Sequence, residues 1–259
     1  MAGNLKVVDA HAHLGKCCVF DLVSTEEELV HRMDESGIDA TIVQPFPGAQ
    51  DAARNHDSIA ELCAKYPGRF FGLASVSPHG DRQAYRSEVE RCVRDLQFVG
   101  VKLHTIGHSV NPLSEDGDFV FATAHELGIP VMVHTGPGVP FALPSLCIPA
   151  ARKYPDLKIV LAHAGFAVFS AEAQVAASVC SNIYLETSWC ISGDIQWMIS
   201  TLGPDRVMMG TDMASNVPVE VAKHKSLDLS PEVYRKVMGG TAIDVFKLSW
   251  RGEHVCTAH

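Results

Sequence analysis

Eight short apolar or β-branched runs recur along the 259-residue chain at a near-constant interval, and no other feature restricts the possible folds as severely. The runs occupy residues 5–11, 39–44, 70–76, 98–103, 129–134, 158–163, 182–186 and 206–212, and their carboxyl ends lie about 29 residues apart on average. One strand plus one helix in a 250-residue eightfold barrel occupies ~31 residues, so the interval fits a repeated βα unit. Helix signals fill the gaps. Thr25 precedes Glu26, Glu27 and Glu28 as a cap with an acidic first turn, and Gly37 stops that helix. Asp81 opens an amphipathic run through Leu96, and Ser230-Pro231-Glu232 opens another helix with Pro at its tolerated first position. Near-continuous apolar strands alternating with helices specify a parallel sheet covered by helices, and the count of eight specifies closure. The expected fold class is therefore α/β, a (β/α)₈ TIM barrel, as a single domain over residues 1–259 with a polar tail at 251–259. An open doubly wound sheet would need a Gly-rich turn after its first strand, and His11-Ala12-His13-Leu14-Gly15 stands there instead.

Charge narrows the function classes. With 21 basic and 30 acidic residues the formal net charge is −9, the wrong sign for a nucleic-acid binder. No segment approaches the ~18 to 20 consecutive apolar residues of a membrane span, and the opening Met1-Ala2-Gly3-Asn4 leads into no signal-peptide core. A cytoplasmic protein, possible as a homo-oligomer, with a small-molecule substrate and no nucleic-acid or membrane partner is the expectation. The eight cysteines include no Cys-x-x-Cys pair and read as reduced, mostly packed thiols. The pair Cys17-Cys18 follows the first histidine motif closely enough to line a site. His254, Cys256 and His259 have no partner arm and read as a loose terminus.

The chemistry lies where histidines and acids meet the strand ends. His11, His134 and His163 each close an apolar run and Asp212 closes the last, while a strand period of two puts His11 and His13 on one face. In an eightfold barrel, side chains at the carboxyl ends of several strands converge on one site. Four imidazoles and a carboxylate form an N/O ligand set suited to a divalent metal, zinc first, with manganese or iron as alternatives. Each pair alone is weak; the joint occurrence on strands one, five, six and eight makes the signal. Gln44, Arg54, His79 and His108 follow strands two to four, and Glu186 and Trp189 follow strand seven, as weaker candidates to meet a substrate.

Asp9-Ala10-His11-Ala12-His13, Gly100-Val101-Lys102-Leu103-His104, Val131 to Gly136, Leu161-Ala162-His163-Ala164-Gly165 and Met209-Gly210-Thr211-Asp212 together resemble the amidohydrolase superfamily. The similarity is greatest to its amidohydrolase-related branch (amidohydrolase 2), which includes aminocarboxymuconate-semialdehyde decarboxylase and 2-pyrone-4,6-dicarboxylate lactonase, and it runs from about residue 5 to about residue 248. The resemblance implies that His11, His13 and Asp212 bind metal, that His134 completes a one-metal shell, and that His163 polarises substrate or binds a second metal. Lys102 stands where two-metal relatives carry a carboxylated, bridging lysine. A single metal leaves Lys102 free to pair with Asp212 or a substrate carboxylate, so one or two ions per chain are expected.

The expected activity is metal-dependent hydrolysis of a small amide, ester or lactone, with Asp212 taking the proton of a metal-bound water and His163 assisting. His104, Trp189 and Arg54 are the expected substrate contacts. The competing reading is nonoxidative decarboxylation of a small aromatic or unsaturated carboxylic acid in the same pocket. A barrel that binds a small acid without metal or catalysis is the third.

Overall fold

The computed structural model describes residues 6–48 and 51–250, so the expected polar tail with His254, Cys256 and His259 lies outside the described residues. The first strand, β1 (Val8–Lys16), is buried from Val8 to His13, because barrel strands are covered on both faces. It continues past His11 into an arm: β2 (Val23–Ser24) folds back on it antiparallel, pairing Gly15 with Ser24 and Lys16 with Val23. A strand of two residues carries no readable period, so this arm has no signature in the sequence.

From there the βα alternation runs as expected. In order follow α1 (Glu26–Ser36), β3 (Ala40–Pro45), α2 (Ala52–Lys65), β4 (Phe70–Ala74), α3 (Arg82–Arg94), β5 (Gly100–Leu103), α4 (Glu115–Leu127) and β6 (Val131–His134). The second half comprises α5 (Ile148–Lys153), β7 (Ile159–Ala162), α6 (Ser170–Val179), β8 (Ile183–Glu186), α7 (Ser192–Leu202), β9 (Val207–Met208), α8 (Val217–Lys225), α9 (Pro231–Arg235) and α10 (Thr241–Phe246). The caps are those read from sequence: Thr25 accepts from the Glu28 amide, Asp81 from Ala84 and Ser230 from Val233, and Gly37 ends α1 at φ 74°.

Strands β1 and β3 to β9 pair in parallel in chain order. The ring closes where the Ala10 amide donates to Met209 O at 3.0 Å, the Asp212 amide donates to His11 O at 2.7 Å, and Ala12 bridges Asp212. An inner layer of Val8, Ala40, Ile42, Leu73, Met132, Val160 and Met208 packs with Ala242, Val245 and Phe246 of α10. A second layer between the sheet and its helices includes Leu29, Met33, Ile59, Val89, Phe121 and Ile195.

Two expected strand ends are turns. β7 stops at Ala162 and β9 at Met208, and both His163 and Asp212 take the left-handed backbone at φ 66°. Such conformations are costly for residues other than glycine and cluster at functional sites. The β1–β3 register also slips between Asp9 and Ala12, a bulge at the position of His11. The seven cysteines among the described residues are free thiols.

Candidate active site

His11, His13 and Asp212 meet at the carboxyl end of the barrel. The Nε2 atoms of the two histidines are 3.3 Å apart, and Asp212 Oδ1 lies 3.4 Å from His11 Nε2 and 3.2 Å from His13 Nε2. The far nitrogen of each ring fixes its tautomer. His11 Nδ1–H donates to Glu186 Oε2 at 2.8 Å, and His13 Nδ1–H donates to the Pro45 carbonyl at 2.9 Å. Both Nε2 atoms are therefore acceptors and stand beside a carboxylate oxygen, with Lys102 Nζ 3.1 Å from that of His11 and the Gln44 side chain 3.3 Å from that of His13. Two imidazole nitrogens and a carboxylate oxygen at 3.2 to 3.4 Å from one another are the N/O donor set of a divalent metal, which these residues fit.

Glu186 organises a second set of rings. Its Oε2 accepts from the His163 amide at 3.0 Å and from the Ser188 hydroxyl at 2.9 Å, and its Oε1 accepts from the Ser188 amide at 2.6 Å. Because the Ser188 proton goes to the carboxylate, His163 Nδ1–H donates to Ser188 Oγ at 2.8 Å. His163 Nε2 is then an acceptor and takes a hydrogen bond from His134 Nδ1–H at 3.1 Å. That leaves His134 Nε2 buried and without a partner, on the cavity wall. A single carboxylate thus sets the tautomer of His11 directly and those of His163 and His134 by relay.

Burial makes these rings neutral: it holds His11, His104 and His134 well below the ordinary imidazole value and brings His163 down to about 3. Burial works against ionisation of Asp212, but His163, His13 and His11 outweigh it and hold its carboxyl well below the usual range. Asp9, closed off beside Thr211 at the foot of the site, is pushed up to about 8 by burial. Lys102 is 1% exposed, with Nζ 3.1 Å from His11 Nε2, and burial brings it down to about 8. It stands behind His11 and is absent from the cavity wall, against the expectation of contact with a bound substrate.

Above the donor cluster opens a cavity of about 250 Å³ lined by His13, His104, His134, His163, Asp212, Trp189 and apolar side chains. His104 stacks on His134 with centroids 4.3 Å apart, and the Trp189 indole donates to Asp212 Oδ2 at 2.8 Å. Gln44 reaches His13 Nε2 at 3.3 Å, and His108 lies behind His104. Arg54 does not join them: it is exposed in the first turn of α2, outside the cavity wall, and the substrate contact expected of it is corrected. His79 is likewise exposed, paired with Asp116.

Trp189 shares the cavity wall with aromatic residues that carry no signal in the sequence. Phe46 stacks on His13 at 4.7 Å and Phe166 stacks on Trp189 at 5.4 Å, while Phe20 and Leu22 reach in from the β1–β2 arm. Gly136, at φ 144°, lacks the Cβ that would collide with Phe166. Two further sets of possible metal donors exist among the described residues. His11, His163 and Glu186 belong to the network above. His56, Glu88 and Cys92 are already satisfied, with His56 accepting from the Ser75 amide and donating to Glu88, which also pairs with Arg91.

The amidohydrolase family profile matches residues 8–248. A gamma-resorcylate decarboxylase from Polaromonas sp. is 25% identical over 88% of this chain and 89% of its own length. Another, from Rhizobium sp., is 35% identical over 38% of this chain and 31% of its own. Among solved structures, a 5-carboxyvanillate decarboxylase from Sphingomonas paucimobilis superposes with a TM-score of 0.77 at 18% identity, covering 95% of this chain and all of that one. A manganese-containing 5-carboxyvanillate decarboxylase from Novosphingobium aromaticivorans superposes at 0.78 and 20% identity, over 95% of this chain and 97% of that one. These relatives correct the expected activity: they are decarboxylases, so hydrolysis of an amide, ester or lactone is set aside. The match over almost the whole described barrel, with the family's histidines and aspartate converging at its mouth, means that the chain belongs to the amidohydrolase family.

Proposed function

We propose that the chain is a nonoxidative decarboxylase of a small aromatic carboxylic acid, dependent on a divalent metal. The observation that carries this reading is the gamma-resorcylate decarboxylase similarity extending over 88% of the chain. The aromatic walls of the cavity agree with it, since the stacked pairs His13–Phe46 and Phe166–Trp189 both line it and offer ring faces to an aromatic substrate. Manganese replaces zinc as the first choice of metal, because two solved relatives hold manganese, one of them with a nitro-substituted hydroxybenzoic acid.

His11, His13, Asp212 and the unpartnered His134 Nε2 would hold the ion. Bound there, it supplies positive charge to the substrate's carboxylate region. Asp212 is the single carboxylate among the described cavity-lining residues, and it moves the proton. Asp212, ionised at rest, takes up a proton from solvent and passes it to the ring carbon: the bond from ring carbon to carboxylate breaks, its electron pair forms the new bond to that proton, and CO₂ departs while Asp212 returns to the carboxylate. The Trp189 indole steadies Asp212 Oδ2 at the cavity wall, and His163, anchored by Ser188, orients His134. Lys102, close to His11 Nε2, acts as an auxiliary charge behind the donor cluster rather than as a carboxylated bridge between two ions.

Manganese-loaded protein incubated in D₂O with a panel of hydroxybenzoates that includes 2,6-dihydroxybenzoate tests the reading. Release of one CO₂ per phenol formed, with one deuteron at the vacated carbon, is expected. Loaded protein that releases no CO₂ from any of the panel overturns it.

A further inference from the structure

Recognition of an acid depends on what faces each of its charges, and the cavity offers one charged end only. Among the described residues that line it, the polar groups are His13, His104, His134, His163, the Trp189 indole and Asp212, gathered on the side of the donor cluster. The remaining wall is Phe20, Leu22, Phe46, Pro47, Ile106, Pro137, Phe166 and Met213, without a lysine or arginine. Lys102 sits behind His11 and Arg54 is out on α2. That wall is apolar throughout, and Asp212 is the one acidic side chain on the lining.

We infer that the site is selective for monocarboxylates: an aromatic acid with one carboxylate, and a neutral remainder facing Ile106, Pro137, Phe166 and the arm residues Phe20 and Leu22. This rests on the reading of the pocket as a decarboxylase site and narrows its substrate class. A second carboxylate held against these side chains gives up water to meet apolar groups and finds no lysine or arginine in exchange. A buried charge without a partner is far more costly than a lost methyl contact, so the discrimination is expected on the order of 10²-fold. Phe20 and Leu22 extend the apolar surface to the outer rim, where both are exposed to solvent.

Salicylate probes this directly, because a carboxylate or a methyl group can be placed at ring positions 3, 4 and 5 in turn, separating charge from size. Binding of each compound to the manganese-loaded protein is measured by calorimetry, with CO₂ release followed in parallel. Every carboxy derivative is expected to bind on the order of 10²-fold more weakly than the methyl derivative of the same position. Arg54→Gln leaves that ratio unchanged. A carboxy derivative that binds within tenfold of its methyl counterpart overturns the inference, as does a loss of its binding on Arg54→Gln, or failure of salicylate itself to bind. If the binding order holds and no CO₂ appears from any compound, the inference stands and the decarboxylase reading falls.

Discussion

Glu186 bonds His11, the His163 amide and Ser188, and through Ser188 and His163 it also fixes the ring of His134. His11 and His13 are legible because a period of two places them together, whereas Glu186 reads as an ordinary strand-end acid until its partners are seen. No spacing rule connects it to His134, which it reaches through Ser188 and His163. Replacing Glu186 with Gln puts an amide where an acceptor is needed and releases His11 from its metal-binding tautomer. Outer-shell partners of metal ligands are typically worth 10- to 100-fold in affinity, so Glu186→Gln is expected to weaken manganese binding by about that factor in a metal titration. Unchanged affinity would show that the relay carries nothing. At Asp212 the test substitution follows from the backbone: φ is 66°, a conformation asparagine tolerates better than alanine, so Asp212→Asn isolates the chemistry from strain. Turnover is expected to fall by ~10²-fold or more with the thermal midpoint little changed. A folded variant with near-normal turnover removes Asp212 from the proton step.

At the scale of elements, the eight barrel strands and most helices were readable, because continuous apolar runs and caps are local signals. What escaped was set by tertiary packing. The β1–β2 arm has only two paired positions, and Phe20, Phe46 and Phe166 become walls only when separate loops meet over the mouth. The turns at His163 and Asp212 read as strand continuations, since an apolar run does not reveal a left-handed residue after it. Glycines give a test of how the elements hold the site. A Cβ on Gly210, just before the turn to Asp212, collides with the Glu186 carboxylate, and one on Gly239 collides with the backbone of Lys6, just ahead of β1. Overpacking of this kind typically costs about 1 to 3 kcal/mol. Both Gly210→Ala and Gly239→Ala are therefore expected to lower the thermal midpoint, and only the first to weaken manganese binding as well. Equal metal affinity in the two variants contradicts the placement of Glu186 as an organiser of the ligands.

For the molecule as a whole, burial of neutral imidazoles outside the donor cluster ties stability to pH. Burial lowers His56, and brings His108 and His224 down to about 4. The unfolded chain takes up these protons near the ordinary value of 6.5 while the folded one refuses them, so their contribution is complete above 6.5 and is lost as pH falls toward 4. Each imidazole adds a slope of roughly 1 kcal/mol per pH unit in that window. Chemical denaturation at constant ionic strength is expected to show stability declining from pH 6.5 to 4, and a flat profile contradicts the neutral burial of these rings. The same barrel that buries them presents an aromatic-walled cavity above a donor cluster, and the reaction proposed there exchanges CO₂ for a proton with the help of a divalent ion. The most direct measurement follows a carboxyl-labelled hydroxybenzoate through three preparations: protein as purified, protein stripped by chelator, and stripped protein reloaded with manganese. Labelled CO₂ is predicted from the first and third and lost from the second, with reloading by manganese restoring the release. Release that survives complete removal of metal, or its absence from fully loaded protein across the hydroxybenzoates, would contradict the account.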